Sequence, residues 1–203
     1  MFVEDQRDRG VPLADDGVSS LPKDQAEKYE QQQQDWNVVA RHDADHLKRV
    51  HVLLSEGKVV TAQDFHDASF LLQHSSEPSD YLLAHILAIR AVGLGDTGSQ
   101  WIAAATLDRY LQSIGRGQVF GSQYLTEQYS FYLMHHNEKD FTEASKKVTS
   151  QATTQQPYEE TVLPDVLRKA FCIPDLAVQK AAVEKGNATG NMELPTLEHC
   201  NAH

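Results

Sequence analysis

The chain has 203 residues, enough for one domain with a core of its own. Eighteen Lys and Arg against 29 Asp and Glu leave a formal charge of -11, which argues against nucleic acid, whose backbone needs a clustered basic face. No apolar run approaches the ~20 residues that span a bilayer, and the opening "MFVEDQRDRG" lacks the apolar stretch of a secretory signal, so a cytoplasmic protein with no membrane partner is expected.

Residues 1–22 read as a polar N-terminal arm, with "VPLADDGVSSLP" combining Pro, Gly, Ser and Asp into loop chemistry. A single helical domain is expected over 23–185. Its first helix starts near Lys23, continues through Trp36, Val39, Ala40, Leu47, Val50 and Leu54 at three-to-four spacing, and stops at Gly57. Thr61 with Asp64 three residues on predicts a capping box for a second helix, whose apolar face carries Phe65, Ala68, Phe70, Leu71 and Leu72. Ser79 is the expected cap of a third helix, "YLLAHILAIRAVGLG", which is almost wholly apolar and so predicted to be central. "SQWIAAATLDRYLQSIG" is the fourth, rich in Ala for close packing and stopped by Gly115. The period then changes. "QVFGSQYLT" and "YSFYLM" (118–126 and 129–134) predict a small β-hairpin, and "PDVLRKAF" and "PDLAVQKAAVEKG" two further helices opened by Pro-Asp. Residues 186–203 are expected to be a disordered tail. The fold class is therefore all-α, an antiparallel bundle of about five to seven helices with a small hairpin after the central helix.

Two cysteines make no disulfide framework. Cys172, between apolar neighbours in "KAFCIPD", reads as a buried thiol, and Cys200 as part of a polar tail. His42 and His46 in "HDADH" stand one helical turn apart, the spacing with which a helix binds zinc, but the Glu that follows the first His in a metalloprotease is missing. They read as an exposed pair on a polar helix, as does the doublet His135–His136. Glu198, His199, Cys200 and His203 offer metal-binding residue types in a terminal segment. No metal ligand set is assigned, and the sequence leaves any cofactor unknown.

The richest stretch is "LDRYLQSIGRGQVFGSQY" (107–124). Asp108 shares a helical face with Trp101, Ala104, Ala105 and Leu111, so its carboxylate points at the core, where it costs several kcal/mol unless partnered. Its expected partners are Arg90, His85 or His74. His74 and His85 should stand roughly 10 Å apart across an antiparallel helix pair, too far to share one metal but open to acid–base work. Arg109, Gln118, Gly121, Gln123 and Tyr124 complete a candidate ligand-binding set. Gln offers donor and acceptor together, and Gly121 permits positive φ or close approach. "GRGQVFG" has no phosphate-loop spacing.

From "DQRDR" (5–9), through "DADHLKRVHVLLSEGKVVTAQDF" and "ASFLLQHSSEPSDYLLAHILAIRAVGLG", to "WIAAATLDRYLQSIGRGQVFGSQY", the chain resembles a bacterial family of domains of unknown function. The family often has Pro where Gly117 stands and Thr where Ser122 stands. The resemblance implies a helical domain and brings no activity. Two functions stay open. One is a polar pocket around Asp108 and Gln123 that binds a small polar ligand or peptide, with acid–base catalysis by Asp108 and His74 or His85. The other is a non-catalytic helical interaction module whose polar hub is structural.

Overall fold

The computed structural model describes residues 1–8, 36–128, 130, 150–195, 197 and 200. Among them the chain is all-α. The helices are α1 (Phe2–Asp8), α2 (Trp36–Ser55), α3 (Ala62–Leu72), α4 (Pro78–Gly93), α5 (Ser99–Ser113), α6 (Asp165–Ala170) and α7 (Leu176–Thr189). Two short antiparallel strands, β1 (Leu125–Thr126) and β2 (Thr153–Thr154), pair Leu125 with Thr154 and Thr126 with Thr153. The two strands thus join segments far apart in sequence. Gln118 bridges Tyr158. Residues 129 and 131–134 of the expected partner strand lie outside the described residues, as do 23–35 of the first helix.

The helices form where the sequence places caps and apolar stripes. Thr61 Oγ1 accepts from Asp64 N at 3.1 Å, and the Asp64 carboxylate accepts from Thr61 N at 2.9 Å, which closes the capping box of α3. At α4 the cap is Glu77, with Pro78 in the first turn, and not Ser79. Three helix ends turn on Gly57, Gly95 and Gly115, each at positive φ, with the two backbone bonds of a Schellman motif after α2, α4 and α5. After α6 the same pair of bonds, Cys172 N to Lys169 O and Ile173 N to Arg168 O, forms around a cysteine at φ 57°.

The core runs along α3, α4 and α5 and continues under the loop after α5. Val50, Ala68, Leu71, Leu72, Ala84 and Leu87 pack at one end, Phe70, Ala88, Ile102 and Ala103 in the middle, and Ala104, Phe120 and Ile173 at the other. Fully burying one Leu or Phe of this set stabilises by roughly 1.5–3 kcal/mol. Helix α4 is not buried all round. Its Ala84, Leu87, Ala88 and Ala91 face inward, while Ile86 and Ile89 stay exposed. No helix among the described residues is long and apolar enough to cross a membrane.

Helices stand near both ends of the described chain. Phe2 of α1 meets His66 and Phe70 edge-on at ring distances of 5.8 and 5.7 Å and so docks α1 on the core. At the other end α7 runs past Gly186 to a left-handed cap at Gly190. Cys172 and Cys200 form a disulfide. Neither is a free thiol, because the segment after α7 folds back beside α6, a return that spacing along the chain does not reveal.

Candidate functional site

Two polar regions are built into this frame. The first lies where α5 runs into the loop 114–124. Asp108 is fully buried on α5. Its Oδ1 accepts from the backbone of Val119 and Phe120 at 2.8 and 3.0 Å, and its Oδ2 from the backbone and hydroxyl of Ser122 at 2.9 and 2.8 Å. The expected partners Arg90, His85 and His74 are therefore replaced by loop amides. Burial pushes the Asp108 carboxyl up, against four donors that favour the charged form.

The loop is in turn tied to more distant parts of the chain, at Gln155, Tyr158 and Gln179. Gln118 donates to the carbonyls of Gln123 and Gln155 and accepts from Gln123 N at 2.9 Å. Gln123 Nε2 reaches Ser122 Oγ at 3.0 Å and Ala105 O at 3.4 Å. Gln155 donates to Gly121 O and to Gln179 Oε1, and Gln179 donates to the carbonyls of Phe120 and Pro174. Tyr158 donates to Phe120 O at 2.8 Å and accepts from Arg168 Nε at 3.0 Å. The Arg168 guanidinium, 2% exposed, also donates to the carbonyls of Leu163 and Glu160 and to Asp165. Gly121 sits at φ 83°, where a Cβ would stand 2.0 Å from Gln179 Oε1. Burial raises the Tyr158 hydroxyl above its ordinary value and the Tyr124 hydroxyl well above it.

The second region lies between α1, α2 and the end of α3. Glu4 and Asp8 are one turn apart on α1, and His46 and His42 one turn apart on α2, so the two helices pair antiparallel through their side chains. Glu4 Oε2 stands 3.0 Å from His46 Nε2, and Asp8 Oδ2 2.6 Å from His42 Nδ1. These contacts hold the Glu4 carboxyl below its usual value and raise the His42 imidazole above its own. Asp5, between them, is fully buried, with Oδ1 3.4 Å from His74 Nε2. Asp5, Asp43 and His46 each offer a ligand atom, and the three atoms lie within 4.8 Å of one another. His46 is only 6% exposed beneath α1, whereas the His42 side chain stays 38% exposed, so one member of the expected exposed pair is buried and the other is not.

The sequence-derived candidates thus divide. Asp108, Gln118, Gly121, Gln123 and Tyr124 gather in the first region. His74 belongs to the second, and His85 to neither: its Nδ1 donates to Ala103 O at 2.8 Å. Arg109 reaches from α5 to Gln73 O at 3.3 Å, beside His74 in sequence. Among the described residues neither histidine hydrogen-bonds Asp108. Sequence reasoning missed Gln155, Tyr158, Arg168 and Gln179 in the first region and Asp5 and Asp43 in the second. A signal for the second region was present, since Glu4 and Asp8 in "EDQRD" match His46 and His42 in "HDADH" at four-residue spacing, but that spacing does not single out Asp5 or Asp43.

The fold and these two regions define a helical bundle with one polar hub and one acid–histidine cluster. No family model matches the chain, and no curated protein or solved structure does.

Proposed function

We propose that the protein is a helical binding module in which the hub after α5 is scaffold and the working polar groups lie between α1, α2 and the end of α3. The observation that carries this reading is hydrogen-bond satisfaction. In the hub, Asp108 accepts four hydrogen bonds, and Gln118, Gln155 and Gln179 use their amides on carbonyls and on each other. A ligand drawn to those groups would have to break bonds that hold the loop. In the cluster, His46 Nδ1 and His74 Nε2 are buried and make no hydrogen bond with any described residue, although His74 lies within ion-pair distance of Asp5. A buried polar atom left so costs about 1–3 kcal/mol, which a bound ligand recovers.

The small polar ligand expected from the sequence therefore has its place at the cluster, and the structural alternative is favoured for the hub. His74 remains a working residue, while Asp108 holds the loop. The Cys172–Cys200 disulfide favours an oxidising compartment over the cytoplasm.

Thermal unfolding tests the reading. Asp43→Asn and His74→Asn should fall within about 0.5 kcal/mol of the parent or be more stable, because functional polar groups are held at a cost in stability. If both lose as much stability as Asp108→Asn, the cluster is a structural staple and the reading is wrong.

A further inference from the structure

We propose that Asp5, Asp43 and His46 bind one divalent transition-metal ion, of the Zn2+ type, which clamps α1 to α2. The proposal rests on the cluster being the working region and names its ligand. Asp43 and His46 are three residues apart on α2 and so share one face of that helix. Asp5, fully buried, comes from α1 against the same face. Their three ligand atoms lie within 4.8 Å of one another. Donors around a tetrahedral ion with bonds of about 2.0–2.2 Å stand roughly 3.4 Å apart, so rotations at the side-chain ends close the set on an ion.

The second observation is the setting of His46. Its Nε2 lies 3.0 Å from Glu4 Oε2, and its Nδ1 is buried with no hydrogen-bond partner among the described residues. A histidine that donates one ring N–H to a carboxylate and keeps the other nitrogen's lone pair unused is the arrangement metal-ligating histidines adopt, with the carboxylate fixing the tautomer. Glu4 is thus a positioning residue for His46. An imidazole with two carboxylates selects Zn2+ and its transition-metal neighbours over Mg2+ and Ca2+, which take oxygen donors.

Equilibrium dialysis of the full chain against Zn2+, with metal content measured by atomic emission, tests this directly. One ion per chain is expected, retained in excess Mg2+. Asp43→Asn and His46→Gln should each weaken binding more than tenfold, and Glu4→Gln by about 10–100-fold. The Glu4 side chain is 54% exposed, so that variant reads out metal affinity in a folded chain. No Zn2+ uptake, or uptake that none of the three variants changes, overturns the metal site. The latter would mean that other histidines, such as the doublet His135–His136, hold the zinc. If Zn2+ fails to bind while Asp43→Asn stays as stable as the parent, the metal alone is lost. If Asp43→Asn unfolds as readily as Asp108→Asn, the reading beneath it is lost as well.

Discussion

The hub after α5 and the cluster beside α1 are made of the same kinds of group, buried acids with polar neighbours, yet they differ in what those groups do. In the hub a buried carboxylate meets three backbone amides and a hydroxyl of the loop, and Gln118, Gln123, Gln155, Gln179 and Tyr158 donate to carbonyls around it. In the cluster buried Asp5 faces histidines, and two imidazole nitrogens stay without a hydrogen bond among the described residues. A network in which every member is satisfied rigidifies a fold, whereas one with open valences is held for something that arrives later. Residue type does not separate the two regions: the Asp108 carboxylate is fully hydrogen-bonded, whereas the cluster leaves two imidazole nitrogens open, as α5 leaves the buried Gln112 Nε2 among the described residues.

The largest effect should come from Asp108→Asn. The amide presents only one acceptor oxygen where the carboxylate uses two, and it turns a donor toward the loop's own donors. A loss of about 3–5 kcal/mol in chemical denaturation is expected; a loss under 1 kcal/mol would erase the contrast between the regions. Next comes Cys200→Ser, or reduction of the parent. Opening a disulfide across 28 residues should cost about 3 kcal/mol. Hydrogen exchange should show the loss around α6 and α7, with α1 and α2 unchanged. Protection lost equally at α1 would show that the two regions are not independent.

Gly121→Ala should come third, at about 2–3 kcal/mol. Its φ of 83° disfavours any side chain, and the new Cβ displaces Gln179 and the Tyr158 hydroxyl from their bonds. Equal stability would mean that the loop has room to give, as a ligand site would. The smallest effect lies outside both regions. The Asp64 carboxyl is held below its usual value by the backbone and side chain of Thr61. Its contribution to α3 is therefore complete above the unfolded value of about 3.9 and lost as pH falls through the lower folded value. Thr61→Ala should remove about 1 kcal/mol at neutral pH, and Asp64→Asn should flatten that acid limb of the stability curve. An unaltered acid limb would remove Asp64 from the cap.

Much of the fold was legible because it is local. The capping box at Thr61–Asp64, the glycines after α2, α4 and α5, and the Ala-rich face of α5 follow from neighbours a turn away. The burial of Asp108 was legible too, since its helical face is otherwise apolar. Its partners were not, because backbone amides look the same at every position and only the path of the loop brings Val119, Phe120 and Ser122 to one carboxylate. The acids of α1 read only as part of a polar arm, since a seven-residue helix has too few turns to display an apolar stripe.

The amino-acid order by itself thus determined an all-α chain, most of its helix ends, and the apolar stripes that build the core from α3 to α5, because each depends on residues within a turn or two. Only the tertiary structure decided that Phe2 docks α1 on His66 and Phe70, that Cys172 meets Cys200, and that Gln155, Tyr158, Arg168 and Gln179 close the hub. Those contacts join residues tens of positions apart, and their direction is set by how loops return across the core, which no local periodicity encodes.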